Sequence, residues 1–180
     1  MNLELKYEIK KKADDLIKKA KILPNIPIKW EKKILINCSE LNGLKKLKDS
    51  TALSIFENNK KQPAIYYFKI TSKHDGKSIL SEFGNYKSKT KRACSRIDKK
   101  RDLTSKFLYC GSRKQGLQER YIQHLGYGSQ NTYALQLWYW SKKCKLELEF
   151  HYAWLDPKYI EFTELIESSL TSKIKPLFGK

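Results

Sequence analysis

PAIYYFKIT, residues 63–71, is a stretch rich in β-branched and aromatic side chains. In an extended chain Tyr66 and Phe68 fall on one face of the stretch. Ile65 and Tyr67 fall on the opposite face, so both faces are apolar. This pattern predicts a central strand that is covered by other parts of the protein on both sides.

Three further stretches predict strands. Residues 105–111 form the next candidate strand after the central one. Residues 145–154 alternate cleanly between apolar and polar side chains, which is typical of a half-exposed antiparallel strand. Nearer the N-terminus, residues 28–37 also fit a strand, and residues 40–61 have the irregular pattern of a loop.

Two helices follow directly from apolar spacing. The first runs from the capping residue Asn2 to Leu23 and is stopped by Pro24. We expect it to pack one narrow apolar stripe on the body of the protein and to expose its lysines. The second is residues 117–125, where apolar side chains recur every fourth position.

Three more helices are inferred from context. The segment 72–104 is too long for a structureless hairpin loop, so it predicts a helix at 88–101. Asn131 is expected to cap an apolar helix at 132–140, and Asp156-Pro157 to start a last helix that ends at Pro176. Its inward side chains are expected to be Ile160, Leu165, Ile166, Leu170 and Ile174. Helices on a mainly antiparallel sheet give an α+β domain.

Composition limits the class of protein. The chain of 180 residues suits one domain, and its hydrophobic fraction of 40% is that of a globular protein. Its formal charge of +18 is the informative figure, because such a surface attracts polyanions such as nucleic acids. A membrane surface or an acidic protein would also be attracted by this positive charge.

The positive charge is concentrated in one part of the chain. Residues 84–120 hold twelve basic side chains against three acidic ones. A solvated lysine-rich face is one reading, and a surface that follows a phosphate backbone is the one we favour. The candidate nucleic-acid-binding residues are Lys87, Lys89, Lys91, Arg92, Arg96, Lys99, Lys100, Arg101, Arg113 and Lys114.

The cysteines and the N-terminal sequence bear on location. The four cysteines lie far apart and form no Cys-x-x-Cys pair, which indicates reduced thiols and not disulfides or a zinc site. The chain starts without an apolar core of signal-peptide length, and no stretch approaches a membrane span. These features predict a cytoplasmic protein without a membrane partner.

Arg120 and His124 are four residues apart on a predicted helix and project from the same side. An arginine suits phosphodiester chemistry because its planar fork keeps its charge and grips phosphate oxygens in pairs. Each residue also has an ordinary reading. Arg120 could form a surface ion pair with Glu119, and His124 could be a polar residue on a helix flank.

Tyr66, Tyr109 and Glu167 complete the set of candidate catalytic residues. If their two strands pair, the tyrosines open onto the face where the Arg120 helix begins. Each tyrosine could instead be a core aromatic, since an unperturbed phenol is a weak base. Glu167 offers hard oxygen ligands for a single Mg²⁺. It could also be an exposed helical acid, and Glu161 or Glu164 could take the same role.

Taken together, these segments resemble the GIY-YIG nuclease family. Ala64-Ile65-Tyr66 is similar to its first motif, and Tyr109-Cys110-Gly111 to its second. The stretch from Glu167 to Phe178 is similar to its closing carboxylate helix. The Arg120 and His124 pair resembles the branch that contains restriction endonucleases. The resemblance covers residues 63–180 and leaves 1–62 as an N-terminal helical extension with a strand.

The resemblance implies a small, three-stranded antiparallel sheet flanked by helices, with residues 72–104 as a basic insertion between the first two core strands. It also implies cleavage of DNA, expected to be double-stranded, with one Mg²⁺ or Mn²⁺ ion in each active site. Tyr66, helped by His124, would activate the attacking water or act as the base. Tyr109 would orient that water or the phosphate, Arg120 would neutralise the phosphate, and Glu167 would hold the metal.

The chain departs from the family pattern in four places. Ala64 stands in place of a glycine, Cys110 in place of isoleucine, and Gly179 where the family often has asparagine. The gap between the two motifs is also longer than usual. The resemblance as a whole predicts a metal-dependent endonuclease of restriction or phage-defence type, with a homodimer as a possible assembly. The alternatives are a non-cleaving nucleic-acid-binding module on the same fold, and a basic interaction protein outside the family.

Overall fold

The structure, a computed structural model, describes residues 3–21, 23–26, 28–41, 53–73, 75–97 and 102–179. Its strands form one mixed sheet of six strands in the order β1-β5-β2-β4-β6-β3. Four of the five strand pairs are antiparallel, and only β4 and β6 are parallel. The strands are β1 (Ile34–Asn37), β2 (Ala64–Ile70), β3 (Arg96–Ile97), β4 (Phe107–Arg113), β5 (Glu147–Trp154) and β6 (Phe178–Gly179).

Helices flank this sheet and make the fold α+β, as the sequence predicted. The sheet is nevertheless larger than the three strands that were expected. The α-helices are α1 (Leu3–Ala20), α2 (Gly76–Lys87), α3 (Leu117–Leu125), α4 (Leu137–Trp140) and α5 (Thr163–Ile174). Short 3-10 helices cover Leu23–Asn25, Cys38–Glu40, Ser54–Asn59 and Pro157–Phe162.

The predicted central strand is confirmed. β2 lies between β4 and β5, and Tyr66 is directly opposite Gly111 of β4 and Tyr152 of β5. Six of its seven residues are apolar or aromatic, and five are buried. Strand alternation therefore sends its side chains into two separate layers of core.

The two faces of the sheet carry different partners. The larger core lies on the face of Tyr66 and Phe68 and includes Leu117 and Leu125 of α3. On the opposite face Ile65 is packed in a smaller cluster, which Ile166 and Leu170 of α5 border. Both α3 and α5 therefore approach the same pair of strands, β2 and β4, from opposite sides.

The helix predicted at 88–101 is wrong in position. The helix of this segment is α2, which starts after Asp75, whose carboxylate accepts a hydrogen bond from the Ser78 N–H at 2.7 Å. The chain after Lys87 runs through turns into β3, and residues 98–101 lie outside the described part of the chain. The cap at Asp75 satisfies an exposed N–H of the first helical turn, which favours a helix start there.

The helix predicted at 132–140 is reduced to α4. Ala134, before this helix, is paired like a strand residue, because the Ser95 N–H donates to its carbonyl at 2.9 Å and Cys94 and Ala134 form a parallel bridge. Gln136 has φ 58°, in the left-handed region, where a continuous helix cannot pass. Backbone partners from the insertion therefore override the local helical pattern.

The N-terminal helix forms nearly as predicted, as α1, but its expected packing is wrong. Every described side chain from Leu5 to Lys18 is exposed, so its apolar stripe does not pack on the body. The strand predicted at 28–37 is shortened to β1. The domain boundary between residues 62 and 63 stays a prediction, although β1 pairs with β5 inside the single sheet.

The strand predicted at 145–154 forms as β5 (Glu147–Trp154), but its polar face is not fully outward. β5 lies between β1 and β2, and Glu149 is 7% exposed. Its carboxylate contacts Lys33, Lys69 and His151, and these contacts, above all those with Lys33 and His151, lower its pKa to about 2. Glu149 is thus paired with basic side chains, whereas the sequence pattern predicted that it would face water.

The last helix begins later than predicted. Residues 157–162 form a 3-10 helix, and the α-helix α5 starts at Thr163. Ile166 and Leu170 pack inward as expected. Ile160 and Leu165 are exposed, which corrects their inward assignment.

The cysteines and the helices bear on two further predictions. All four cysteines are free and buried, as expected for reduced thiols. Within the described ranges, no helix combines the length and apolarity that a membrane crossing requires.

Candidate active site

Tyr66 and Tyr109 lie side by side on adjacent strands. Tyr66 is opposite Gly111 in the β2–β4 register, and Tyr109 is opposite Phe68. The two tyrosines therefore share one face of the sheet, and their rings are stacked with centroids 6.1 Å apart. Both residues are almost fully buried, so only their hydroxyl ends are available for chemistry.

Gly111 is the position that allows the two rings to meet. A Cβ added there would lie 2.5 Å from the Tyr66 hydroxyl oxygen and 2.9 Å from Cε1 of Tyr109. Contacts this short do not occur between real side chains. The absent side chain of Gly111 is thus the space that the Tyr66 hydroxyl occupies.

Arg120 of α3 binds both phenols at once. Its Nε donates to the Tyr66 hydroxyl and its Nη2 to the Tyr109 hydroxyl, each at 3.2 Å. Its Nη1 donates to Gln123 Oε1 at 3.2 Å and to the Tyr133 carbonyl at 2.8 Å. A guanidinium has five N–H groups, so these four bonds leave one N–H, on Nη2, for a ligand.

His124 lies one turn after Arg120 and contacts the same phenol. Its Nε2 is 3.0 Å from the Tyr66 hydroxyl, and its Nδ1 accepts the Leu135 N–H at 3.2 Å. Because Nδ1 is an acceptor, the neutral ring carries its proton on Nε2 and donates it to Tyr66. Burial, followed by the charges of Arg120 and Arg113, lowers the pKa of His124 well below 6.5. The imidazole is therefore neutral.

The hydroxyl of Tyr66 consequently receives two N–H donors. With both of its acceptor positions used by Arg120 and His124, its own hydrogen must point elsewhere. Burial raises the pKa of Tyr66 well above 10.0, and the charge of Tyr109 adds to this shift. Arg120 acts in the opposite direction by favouring the phenolate, which also accepts its hydrogen bond.

Glu167 lies on α5, on the other face of the sheet from Arg120 and His124. It is 8% exposed on α5, and its Oε2 accepts a hydrogen bond from the Ser112 hydroxyl at 2.5 Å. Ser112 follows Gly111 on β4 and therefore faces α5, not α3. The carboxylate is close enough to Tyr66 for its charge to contribute, as the last of five causes, to raising the pKa of that phenol.

Two carboxylates of α5, Glu164 and Glu167, are the candidate ligands for a Mg²⁺ or Mn²⁺ ion. Among the described residues, no group of three or more His, Cys, Asp or Glu side chains could hold a metal. Mg²⁺ does not require such a cage, because it commonly binds through one or two carboxylates and keeps several waters. Glu164, one turn before Glu167 on α5, is part of the lining of the cavity next to this site, and Glu167 is not.

A cavity of about 690 Å³, here called the main cavity, opens beside these groups. Tyr66, Arg120 and Tyr133 are part of its lining. Arg113 and Lys114 add positive charge, against the single carboxylate of Glu164. The Tyr66 hydroxyl therefore borders a basic space that is suited to a phosphate ester.

The structure separates the candidate nucleic-acid-binding residues into groups. Arg113 and Lys114 line the main cavity, and Arg96 lines a second one. Lys87, Lys89 and Lys91 are exposed around the end of α2. Lys99, Lys100 and Arg101 lie outside the described residues.

Arg92 differs from the other candidates because its guanidinium is used inside the protein. Its Nε donates to Gln136 Oε1 at 3.1 Å, and its Nη2 donates to the Gly128 carbonyl at 2.7 Å. The guanidinium also lies 4.7 Å from the centre of the Tyr139 ring. These contacts tie the insertion to the segment after α3, and they leave three N–H groups of Arg92, so phosphate binding by this residue stays a prediction.

Three residues at the site were not among the sequence candidates. Ser112 had a usable signal, because it directly follows the second motif. Gln123 also had a signal, because it lies three residues after Arg120 on the predicted helix. Tyr133 had none, since its contact with Arg120 depends on the path of the chain between α3 and α4.

No protein-family model, curated protein or solved structure matches this chain. The geometry of the site is therefore the basis on which a function is assigned.

Proposed function

We propose that this protein is a metal-dependent DNA endonuclease, of restriction or phage-defence type, with the GIY-YIG nucleases as the family it resembles. One observation carries the proposal. The Tyr66 hydroxyl is held between Arg120 and His124, beside Tyr109, at the wall of the basic main cavity. A buried phenol with two N–H donors and a cationic neighbour is more than a core tyrosine requires.

Arg120 would bind the scissile phosphate. Its remaining Nη2 N–H and its permanent charge stabilise negative charge that develops on the phosphate oxygens. The bonds to Tyr66, Tyr109, Gln123 and Tyr133 fix the guanidinium before substrate arrives. Such pre-organisation is effective because no reorientation is needed during the reaction.

Tyr66 would act as the base in its phenolate form, after its own proton has passed to solvent in the main cavity, and would then take the proton of the attacking water. Arg120 and the neutral His124 stabilise the phenolate by donating hydrogen bonds to its oxygen. His124 acts in this arrangement as a donor and not as the final proton acceptor, because its Nδ1 is held by the Leu135 N–H. Tyr109, bound to Arg120, would orient the water or the phosphate.

Glu167 would hold the cation, with Glu164 as the competing ligand. A bound Mg²⁺ would supply positive charge to the phosphate oxygens. Ser112 orients the Glu167 carboxylate through its hydroxyl. One ion for each active site agrees with the small number of carboxylates near the main cavity.

The proposed substrate is DNA, in its double-stranded form. Arg113, Lys114 and Arg120 give the main cavity the charge that a phosphate backbone requires. A single active site cuts one strand at a time. A homodimer would supply the second active site that cleavage of both strands requires.

The test compares three acidic residues on one stretch of chain. Wild type, Glu167→Ala, Glu164→Ala and Glu161→Ala are incubated with supercoiled plasmid and Mg²⁺ or Mn²⁺. We expect Glu167→Ala to reduce the cleavage rate by at least about 100-fold, since it would remove the ligand of the proposed cation. Glu161→Ala is the control, because this exposed residue is not part of the cavity lining.

Glu164→Ala identifies the metal ligand. If it is the variant that loses activity, the cation is held by Glu164 and not Glu167. Equal cutting by all four proteins, or no cutting by wild type on several DNA substrates, contradicts the proposal.

A second candidate function is favoured by Gly179. It lines the second cavity together with Tyr109 and Arg120, at the position where the resembled family has an amide side chain. A site that lacks this amide could bind nucleic acid without cutting it. That alternative predicts salt-dependent DNA binding with no turnover, and binding that is unchanged by Glu167→Ala.

A further inference from the structure

Tyr133 has an exposed aromatic ring next to the catalytic cluster. It is 64% exposed. It lines the main cavity and also a second cavity of about 360 Å³, which Ser95, Arg96 and Gly179 border. Arg120 lines both cavities as well, so Tyr133 and Arg120 mark the boundary between them.

The backbone around Tyr133 is fixed on both sides. Its carbonyl accepts the Arg120 Nη1 hydrogen bond at 2.8 Å, and the Leu135 N–H donates to His124 Nδ1 at 3.2 Å. Ala134, between them, is fully buried and accepts the Ser95 N–H at 2.9 Å. The ring is therefore an exposed group on a rigid support that is connected directly to the candidate catalytic residues.

Positive charge lies on both sides of this ring. Arg113 and Lys114 line the main cavity, and Arg96 lines the second cavity. A nucleic-acid strand that places one phosphate at Arg120 can place the neighbouring phosphates near these side chains. The base between two phosphates then meets the Tyr133 ring, and an aromatic ring accepts any base by stacking.

We propose that Tyr133 is a stacking platform for one nucleobase next to the phosphate bound at Arg120. The base presented to it is unstacked from its neighbours, so the bound strand is locally distorted or single-stranded at this point. The inference rests on the proposed function for the nature of the ligand, but it does not depend on cleavage.

The experiment measures binding without turnover. Wild type, Tyr133→Phe, Tyr133→Ala and Tyr7→Ala are titrated in EDTA with a fluorescently labelled single-stranded DNA. The measurement is repeated with a series of strands in which one base at a time is replaced by an abasic site. Tyr7 is a matched control, because it is 67% exposed and lies on α1, away from both cavities.

Stacking on one base predicts that Tyr133→Ala weakens binding of the intact strand roughly 10-fold, while Tyr133→Phe and Tyr7→Ala bind like wild type. One abasic position should weaken binding to wild type by a similar factor and leave Tyr133→Ala unaffected, since the two partners of one contact are not additive. Unchanged melting temperatures show that the exposed ring was removed without unfolding.

The outcome separates this inference from the proposed function. Position-specific loss with a protein that never cuts DNA supports the stacking platform and contradicts the nuclease. Equal affinity of wild type and Tyr133→Ala overturns the platform, whether or not plasmid is cleaved. Tight binding with an equal loss at every abasic position also overturns it.

Discussion

At the scale of single residues, the site depends on an atom that is missing from Gly111. The Tyr66 hydroxyl fills the place where a Cβ would stand, and this brings it within reach of Arg120 and His124. The glycine is needed for a close approach of side chains and not for an unusual backbone conformation, because it is not among the residues with positive φ.

Replacement of Gly111 by alanine should therefore damage both stability and activity. The neighbouring atoms belong to two buried rings that cannot move freely, so we expect a loss of about 1–3 kcal/mol in unfolding free energy. Urea denaturation and plasmid cleavage measure the two effects. Gly84→Ala is the matched control, because no atom lies within 4 Å of its added Cβ.

Gly84 lies inside α2, where alanine is the better helix former. Its replacement should raise stability by about 1 kcal/mol and leave cleavage unchanged. A Gly111→Ala protein that is as stable and as active as wild type would show that the Tyr66 hydroxyl is not where the structure has it.

The candidate site residues that could be predicted from the sequence have reactive side chains and lie on strands or helices with a clear apolar pattern. Tyr66 and Tyr109 could be placed on one face because their strands were recognisable. The contacts of Tyr133, and the internal use of Arg92, could not be predicted in the same way. They depend on how the insertion meets the segment after α3, and no local pattern encodes that meeting.

At the scale of elements, local signals succeeded where strands and helices are determined by their own patterning. β2, β4, β5 and α3 lie within a few residues of their predicted positions. The errors occur where a cap or a distant backbone partner decides. The helix of the insertion is α2 and not 88–101, because Asp75 caps its start. The hydrogen bond from Ser95 to Ala134 keeps the chain before α4 out of a helix, although its apolar residues have helical spacing.

β6 is a short element with a large structural effect. Phe178 is fully buried, and its ring lies 4.5 Å from Phe83 of α2 and 6.1 Å from Trp140 of α4, centre to centre. It is also the residue that pairs with Tyr109. One side chain thus joins two helices to the strand that carries a candidate catalytic tyrosine.

Phe178→Ala should destabilise the protein by about 3–5 kcal/mol, because it leaves a cavity at this junction. Leu165→Ala is the control on α5, since Leu165 is 54% exposed and its loss should change stability by less than about 0.5 kcal/mol. Chemical denaturation of both variants gives the comparison. Similar losses for the two would mean that the β6 junction is not packed as described.

At the scale of the whole molecule, the charge of +18 is divided between sites with different roles. Arg113 and Lys114 border the main cavity beside β2 and β4. Lys29 and Lys32 are exposed just before β1, which is an edge strand of the sheet. The division predicts that DNA binding depends on where a charge lies and not only on how many there are.

The double variant Arg113→Ala with Lys114→Ala should reduce the slope of log Kd against log salt by about 2, one for each lost phosphate contact. Lys29→Ala with Lys32→Ala removes the same charge and should leave the slope nearly unchanged. Fluorescence anisotropy over a range of KCl concentrations measures both. Equal changes in slope would indicate a diffuse attraction with no defined path for the backbone.

The position of β2 in the sheet also has a consequence for how the polypeptide reaches its final shape. Ala64 pairs with Arg113 on one side and with Trp154 on the other, so both neighbours come from remote parts of the chain. The loops between these strands must close, at a cost in entropy, before the strand pairs can form and stabilise the fold. Refolding should therefore be slower than in a helical bundle of similar length. Kinetic intermediates should accordingly contain native helices while still lacking the pocket, and recovery of DNA binding should lag behind recovery of helical circular dichroism.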